Sequence, residues 1–219
     1  MRLYYLTPAP FALSNIALRR VKIARFAELN DPFELLAVNL RDEQYREPFR
    51  RFKSSLNESK GLLCFSKSWS NPVLWGHYAA SHTGIALGFE VAEHLPVKAI
   101  YVGRLTKIEV DQATQRPVLD QPLMDKLLRT KFKDWRYENE WRVFVNLDHS
   151  TREAGLYFYD FSDELRLVEI ILGPNCALPS ERVSALVAGY SHPVKVSQSR
   201  VAFQNFRVIE QRASRSRGI

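Results

Sequence analysis

The sequence predicts an α+β fold, with a mixed, mostly antiparallel sheet and flanking helices. Strand-like runs follow one another closely through the middle of the chain, as "GLLCFS", "GIALGFEV" and "VKAIYVG". After Tyr137 the apolar pattern switches to period two in "EWRVFVNL", which suits a pleated strand. Helical spacing is confined to a few segments and does not alternate with strands, so repeated βαβ units are not expected.

Taken in order, "RLYYLT" opens the chain as a strand rich in aromatic residues. From Pro8 to about Arg20 the spacing of Phe11, Ile16 and Leu18 is helical, with Pro near the start. "VKIA" is a short strand, and "NDPFE" a turn in which Asn30 and Asp31 precede Pro32. A polar helix spans roughly Asp42 to Glu58 and stops at Lys60-Gly61. After the three central strands, Leu119, Leu123, Leu127 and Leu128 place a helix over 119–134. "GLYFYDF" and "LVEIILG" continue the sheet; a helix over about 179–189 and the strands "VKVSQ" and "NFRVIEQ" close the chain.

With 219 residues, no internal repeat and no low-complexity linker, a single domain over 1–211 is expected, followed by a basic tail, "RASRSRGI" at 212–219. Two cysteines, Cys64 and Cys176, both in apolar runs, are too few for a disulfide framework. They suit a reducing, cytoplasmic compartment. No signal peptide and no apolar run of about 20 residues is present, so no membrane partner is expected. The net charge of +7 is concentrated at the ends: +5 over residues 1–25 and +4 over 200–219, against −2 for the rest. Such ends either contact phosphates or form a solvated tail. No G-x-G-x-x-G and no G-x-x-x-x-G-K-[ST] occurs, which removes Rossmann and P-loop phosphate sites.

Two stretches carry candidate chemistry. In "KFKDWRYENEWRVF" (131–144), a strand beginning near Glu138 would put Glu138, Glu140, Arg142 and Phe144 on one face. Trp141, Val143 and Val145 would then bury on the other. Carboxylates two apart repel, so each needs a cation or a distinct job; Arg142, Lys131 and Arg136 are the nearby cations. One reading is a solvated edge of surface ion pairs. The other is an acid pair that stabilises positive charge at a sugar carbon. In "CFSKSWSNPVLWGHY" (64–78), Ser66 and Ser68 face one side of a strand end and can orient a carboxylate or bind a ribose. Trp69, Trp75 and Tyr78 offer flat surfaces for a heteroaromatic ring. His77 is either a satisfied surface histidine or a general base. Asp31, Glu34, Glu138 and Glu140 could instead surround a divalent ion in a hydrolase or nuclease, although no metal-ligand spacing demands one.

"NDPFE", the segment from Cys64 to Glu90, Val97 and Tyr101 in "VKAIYVG", and "KFKDWRYENEWR" resemble, in order, the signature segments of a widespread bacterial group, domain-of-unknown-function family 2971. The resemblance runs from residue 3 to about residue 145. More distantly, the order "LYYLT", then Ser66-x-Ser68, then Glu138-x-Glu140 resembles the ADP-ribosyltransferase fold and its split sheet. That likeness implies NAD as cofactor. It implies Glu140 on the nicotinamide ribose, Glu138 assisting the acceptor, Ser66 and Ser68 supporting Glu140, and Tyr78 stacking near nicotinamide, with Tyr5, Trp75, His77 and Arg142 lining the site. Where the family carries His or Arg on its first strand, this chain has Tyr5, with Arg2 the nearest base. The function implied is an NAD-dependent transferase of toxin or phage-defence type, passing ADP-ribose to a protein or nucleic acid. A non-catalytic nucleic-acid or nucleotide-binding module is the alternative from another class.

Overall fold

The structure is a computed structural model that describes residues 1–114, 118 and 120–211. Its strands and helices succeed one another as β1 (Arg2–Thr7), α1 (Ala9–Leu18), β2 (Arg20–Arg25), α2 (Arg46–Ser59), β3 (Lys60–Ser66) and α3 (Pro72–Tyr78). Then come β4 (Ile85–Val91), β5 (Val97–Lys98), β6 (Ile100–Val102), α4 (Gln121–Arg129), β7 (Thr130–Phe132) and β8 (Glu140–Asn146). The chain closes with β9 (Tyr157–Asp160), β10 (Leu165–Leu172), α5 (Ser180–Val187), β11 (Lys195–Val201) and β12 (Val208–Glu210). The fold is α+β, with a mixed, mostly antiparallel sheet and flanking helices. The basic tail expected over 212–219 lies outside the described residues. Among the described residues no helix is long and apolar enough to cross a membrane.

Contacts gather into two units. The first comprises Met1–Val21, Phe65–Glu93 and Asp160–Ile219. Its strands run in the order β12-β11-β10-β4-β1. β1 and β4 pair antiparallel from Arg2 opposite Glu90 to Thr7 opposite Ile85. β10 and β11 are parallel, joined through α5. The central β4 reads as a near-continuous apolar run because it is buried on both faces. Trp75, Ala79, Ala86, Ile171 and Val208 form one core cluster, with Tyr4, Leu6 and Trp69 packed on it.

The second unit comprises Lys22–Cys64 and His94–Tyr159. Here β3 pairs antiparallel with β2, Leu62 standing opposite Ala24, and also pairs with β8. β8 in turn pairs with β5, Arg142 opposite Val97. β6 and β7 make a separate parallel ribbon. That ribbon explains why the helix expected over 119–134 ends at Arg129: the next three residues pair with Ile100–Val102 and are strand. The amphipathic α2 buries Phe49 against Ala37, Val38 and Leu127. Leu56 and Leu128 pack on Phe26, Leu35 and Leu62. At about 25 cal/mol per Å² of apolar area, each fully buried large side chain such as Phe49 or Phe26 contributes about 1.5–3 kcal/mol.

Candidate functional site: a buried charge cluster

β8 starts at Glu140, two residues later than the sequence pattern suggests. Residues Lys133–Glu138 form a 3₁₀ turn instead, ended by Asn139 at φ 45°, ψ 51°. Asn is among the few non-glycine residues that accept this left-handed conformation. The expected burial is also inverted. Glu138, Glu140 and Arg142 are 4%, 3% and 1% exposed, whereas Trp141 and Val145 are only half-buried; Val143 is buried as expected. The reading of a solvated edge of charge is thereby overturned.

What draws the charges inward is a set of partners from distant parts of the same unit. Lys131, at the centre of β7, bonds Glu138 Oε2 through its ammonium and lies 3.2 Å from Glu140 Oε2. Arg142 donates to Glu140 Oε2 at 3.1 Å, to the Leu128 carbonyl at 2.7 Å, and to both oxygens of Glu34. Glu34 follows Asp31, whose Oδ1 accepts the Phe33 N–H at 2.9 Å and fixes the turn of "NDPFE". The Tyr101 hydroxyl accepts the Glu140 N–H at 2.8 Å. Lys131 also stands over the Trp135 ring at 5.1 Å, and Trp135 lies 6.0 Å from the Tyr137 ring.

The electrostatics follow from this geometry. Burial opposes the charge of Lys131, but Glu140 and Glu138 outweigh it and raise the ammonium above its usual range. Arg142 is likewise held charged against burial by Glu140 and Glu34. Burial pushes the Glu140 carboxyl up, yet Arg142 and Lys131 more than compensate, and it stays below its ordinary value of 4.5. At Glu34 burial wins over Arg142 and the carboxyl is raised. Burial pushes the Cys64 thiol well up, and the neighbouring Glu140 carboxylate, which accepts its S–H, pushes it further. Burial followed by Glu138 takes the Tyr137 phenol up to about 12. Three carboxylates thus face two cations, and Glu140 is held in its ionised form where burial raises Glu34. Among the described residues no group of three His, Cys, Asp or Glu is placed to hold a metal ion. The ammonium and the guanidinium take the places between the acids.

Glu34 is expected from the sequence only as a ligand of a divalent ion, and Cys64 and Tyr101 carry no expected catalytic role, although "VKAIYVG" contains Tyr101. Their membership shows only when the turn after Asp31, β3 and β6 are brought beside β8.

The remaining expected site residues belong to the other unit. Ser66 donates to the Ser68 carbonyl at 2.8 Å and accepts the Ser68 N–H at 3.3 Å. The hydroxyls of Ser68 and Ser70 are 2.9 Å apart. These serines build a turn that leads into α3, which Asn71 caps by accepting the Val73 N–H. Trp75 is fully buried, its indole N–H donating to the Trp69 carbonyl at 2.6 Å, so its ring is part of the core. His77 is exposed and Tyr78 half-buried, their rings edge-on at 6.2 Å. Tyr5 packs edge-on against Phe65 at 6.2 Å. Arg2 is held by Glu90 at 2.8 Å and Glu169 at 3.3 Å. The structure therefore brings Glu138, Glu140 and Arg142 together in one unit and Tyr5, Ser66, Ser68, Trp75, His77 and Tyr78 in the other.

Comparison of the chain with protein-family models, with curated proteins and with solved structures finds no match in any of the three. What the chain does has to be read from its own side chains.

Proposed function

We propose that this chain is an enzyme of ADP-ribosyltransferase type, with NAD as donor, Glu140 as the charge-stabilising carboxylate and Glu138 as the second acid. The observation that supports it is the convergence of Glu138 and Glu140 on one ammonium, in surroundings that keep Glu140 ionised. NAD supplies a nicotinamide–ribose bond whose cleavage leaves positive charge on the sugar. A fixed carboxylate in a low-dielectric site stabilises such charge better than water does. Both ion pairs of Glu140 use Oε2, and they fix the carboxylate that would meet the ribose. Lys131 and Arg142 hold the carboxylate in place, and Glu138 takes the proton of the attacking acceptor.

The ribose and nicotinamide end of NAD is the part that an acid pair beside flat rings would suit. The half-buried rings of Trp135 and Tyr137 stand in the same unit as the acid pair. Arg2 does not suit the phosphates, because two carboxylates already hold it. Since both acids are under 5% exposed, turnover requires the covering chain to move aside.

Released nicotinamide is the direct readout, with the whole chain, NAD and cell lysate as the source of acceptor. Glu140→Gln and Glu138→Gln should each abolish release. Trp135→Ala, which leaves the ion pairs between acids and cations in place, should weaken NAD binding without unfolding the protein. Absence of nicotinamide release with and without lysate, together with no thermal shift on adding NAD, would refute the proposal.

A further inference from the structure

We infer that the turn joining β11 and β12 is a stacking platform for single-stranded nucleic acid. Phe203 and Phe206 stand 87% and 97% exposed at its tip. Rings of this size are normally drawn into a core, and a pair displayed together marks an interaction surface. The turn that carries them is fastened on several sides. Ala202 N–H donates to the Arg207 carbonyl at 2.8 Å and Arg207 N–H to the Asn205 carbonyl at 2.9 Å. Val208 N–H donates to the Ser70 carbonyl at 2.8 Å, and Arg207 Nη2 to Ser70 Oγ at 3.0 Å. The rings are therefore presented by an ordered backbone, which reduces the ordering cost of binding.

The charge around them selects the partner. Arg200 places its guanidinium 4.6 Å from the centre of the Phe203 ring, a pairing on which a base can extend the stack. From residue 200 to 210 the sequence holds Arg200 and Arg207 against one acid, Glu210. That acid is already taken by Lys195 at 2.6 Å. Flat apolar faces beside unopposed guanidinium groups complement a strand of unpaired bases on a phosphate backbone. Gln204 and Asn205 sit between the rings, exposed. Their amides can hydrogen-bond base edges, whereas burying them among lipid tails would cost their hydration. The inference does not depend on the NAD chemistry.

The test uses the full chain and a fluorescent oligothymidylate of about 20 nucleotides, alongside the matching duplex, from about 50 mM salt upward. The single strand should bind more tightly than the duplex, with affinity falling steeply as salt rises. Phe203→Ala and Phe206→Ala should each weaken binding by roughly 5- to 150-fold at unchanged melting temperature. Phe203→Trp should retain it. Arg200→Gln should weaken binding and flatten the salt dependence. Three results would overturn the inference: no binding of oligothymidylate at low salt, binding that survives loss of both rings, or ring-dependent binding to phosphatidylserine vesicles in place of the oligonucleotide.

Discussion

Arg142 grips Glu34 with both arms of its guanidinium, Nη1 to Oε1 at 2.6 Å and Nη2 to Oε2 at 2.9 Å, across 108 residues of sequence. The paired geometry is the strong form of such a contact. It fixes the turn after Asp31 to β8. Arg142→Ala would leave Glu34 and Glu140 buried without their shared cation, and a loss of about 3–5 kcal/mol is expected. Arg142→Lys keeps a charge but not the fork, so it should lose a smaller share, about 1–3 kcal/mol. Urea unfolding of the two variants checks the order; a Lys variant as stable as the parent would mean the fork contributes nothing.

Glu34 and Glu140 should respond to pH with opposite signs. The Glu140 carboxyl lies below 4.5 in the folded state, so its stabilisation is present above the unfolded value and is lost as pH falls through the folded one. The Glu34 carboxyl lies above 4.5, so the folded protein loses stability as pH rises from 4.5 through the raised value. Relative to the parent, Glu140→Gln should therefore do most harm near neutrality and least in acid. Glu34→Gln should do least harm near neutrality. Parallel pH dependence of the two unfolding free energies would contradict this assignment.

Lys131 is shared by Glu138 and Glu140. Replacing it with Met leaves two buried carboxylates side by side, with an expected cost of about 3–5 kcal/mol. Adding Glu138→Gln removes one of the repelling charges and should restore part of that loss. A double-mutant cycle measures the coupling, expected at about 0.5–3 kcal/mol. Strict additivity would show that the ammonium does not mediate between them.

The thiol of Cys64 is suppressed by burial and by the carboxylate beside it, and only a thiolate reacts with iodoacetamide. Native protein at about pH 8 should leave Cys64 unlabelled by mass spectrometry, and urea should expose it. Glu140→Gln should speed native labelling. Equal rates in folded and unfolded protein would place the thiol outside the cluster.

Gly173 and Gly189 should differ sharply on substitution by Ala. A Cβ on Gly173 runs into the His82 carbonyl oxygen and crowds the Trp75 ring at 3.0 Å, whereas nothing lies within 4 Å of a Cβ on Gly189. Gly173→Ala should lose about 1–3 kcal/mol; Gly189→Ala should gain up to about 1 kcal/mol by restricting the unfolded chain. Thermal melts decide both.

Local pattern made much of the fold legible. The apolar run Ile85–Val91, the period-two run from Glu140 and the Pro-started helix Ala9–Leu18 each depend on neighbours within a few residues. The inversion at β8 was not legible. Alternation assigns Trp141 to the core and Arg142 to water, and beyond its strand neighbour Glu140 it is Glu34 and the Leu128 carbonyl that reverse it. Both reach Arg142 through the fold rather than through nearby sequence. The same limit hid the role of Cys64, which reads as one more apolar residue in "LLCF". The serines of 66–70 were legible as hydrogen-bonding groups, but that their partners would be one another depends on a backbone turn that the spacing does not encode.

One torsion sets the bite of the acid pair. Because Asn139 turns left-handed, the last residue of the 3₁₀ turn and the first of β8 close on Lys131 like the jaws of a caliper. The residue itself is exposed, so the jaws can be reset from outside without touching the packed interior. Glycine at 139 would leave the hinge free to close, while a β-branched side chain would favour extended backbone and pry the jaws apart. The spacing of two deeply enclosed acids is thus adjustable from a single position on the surface.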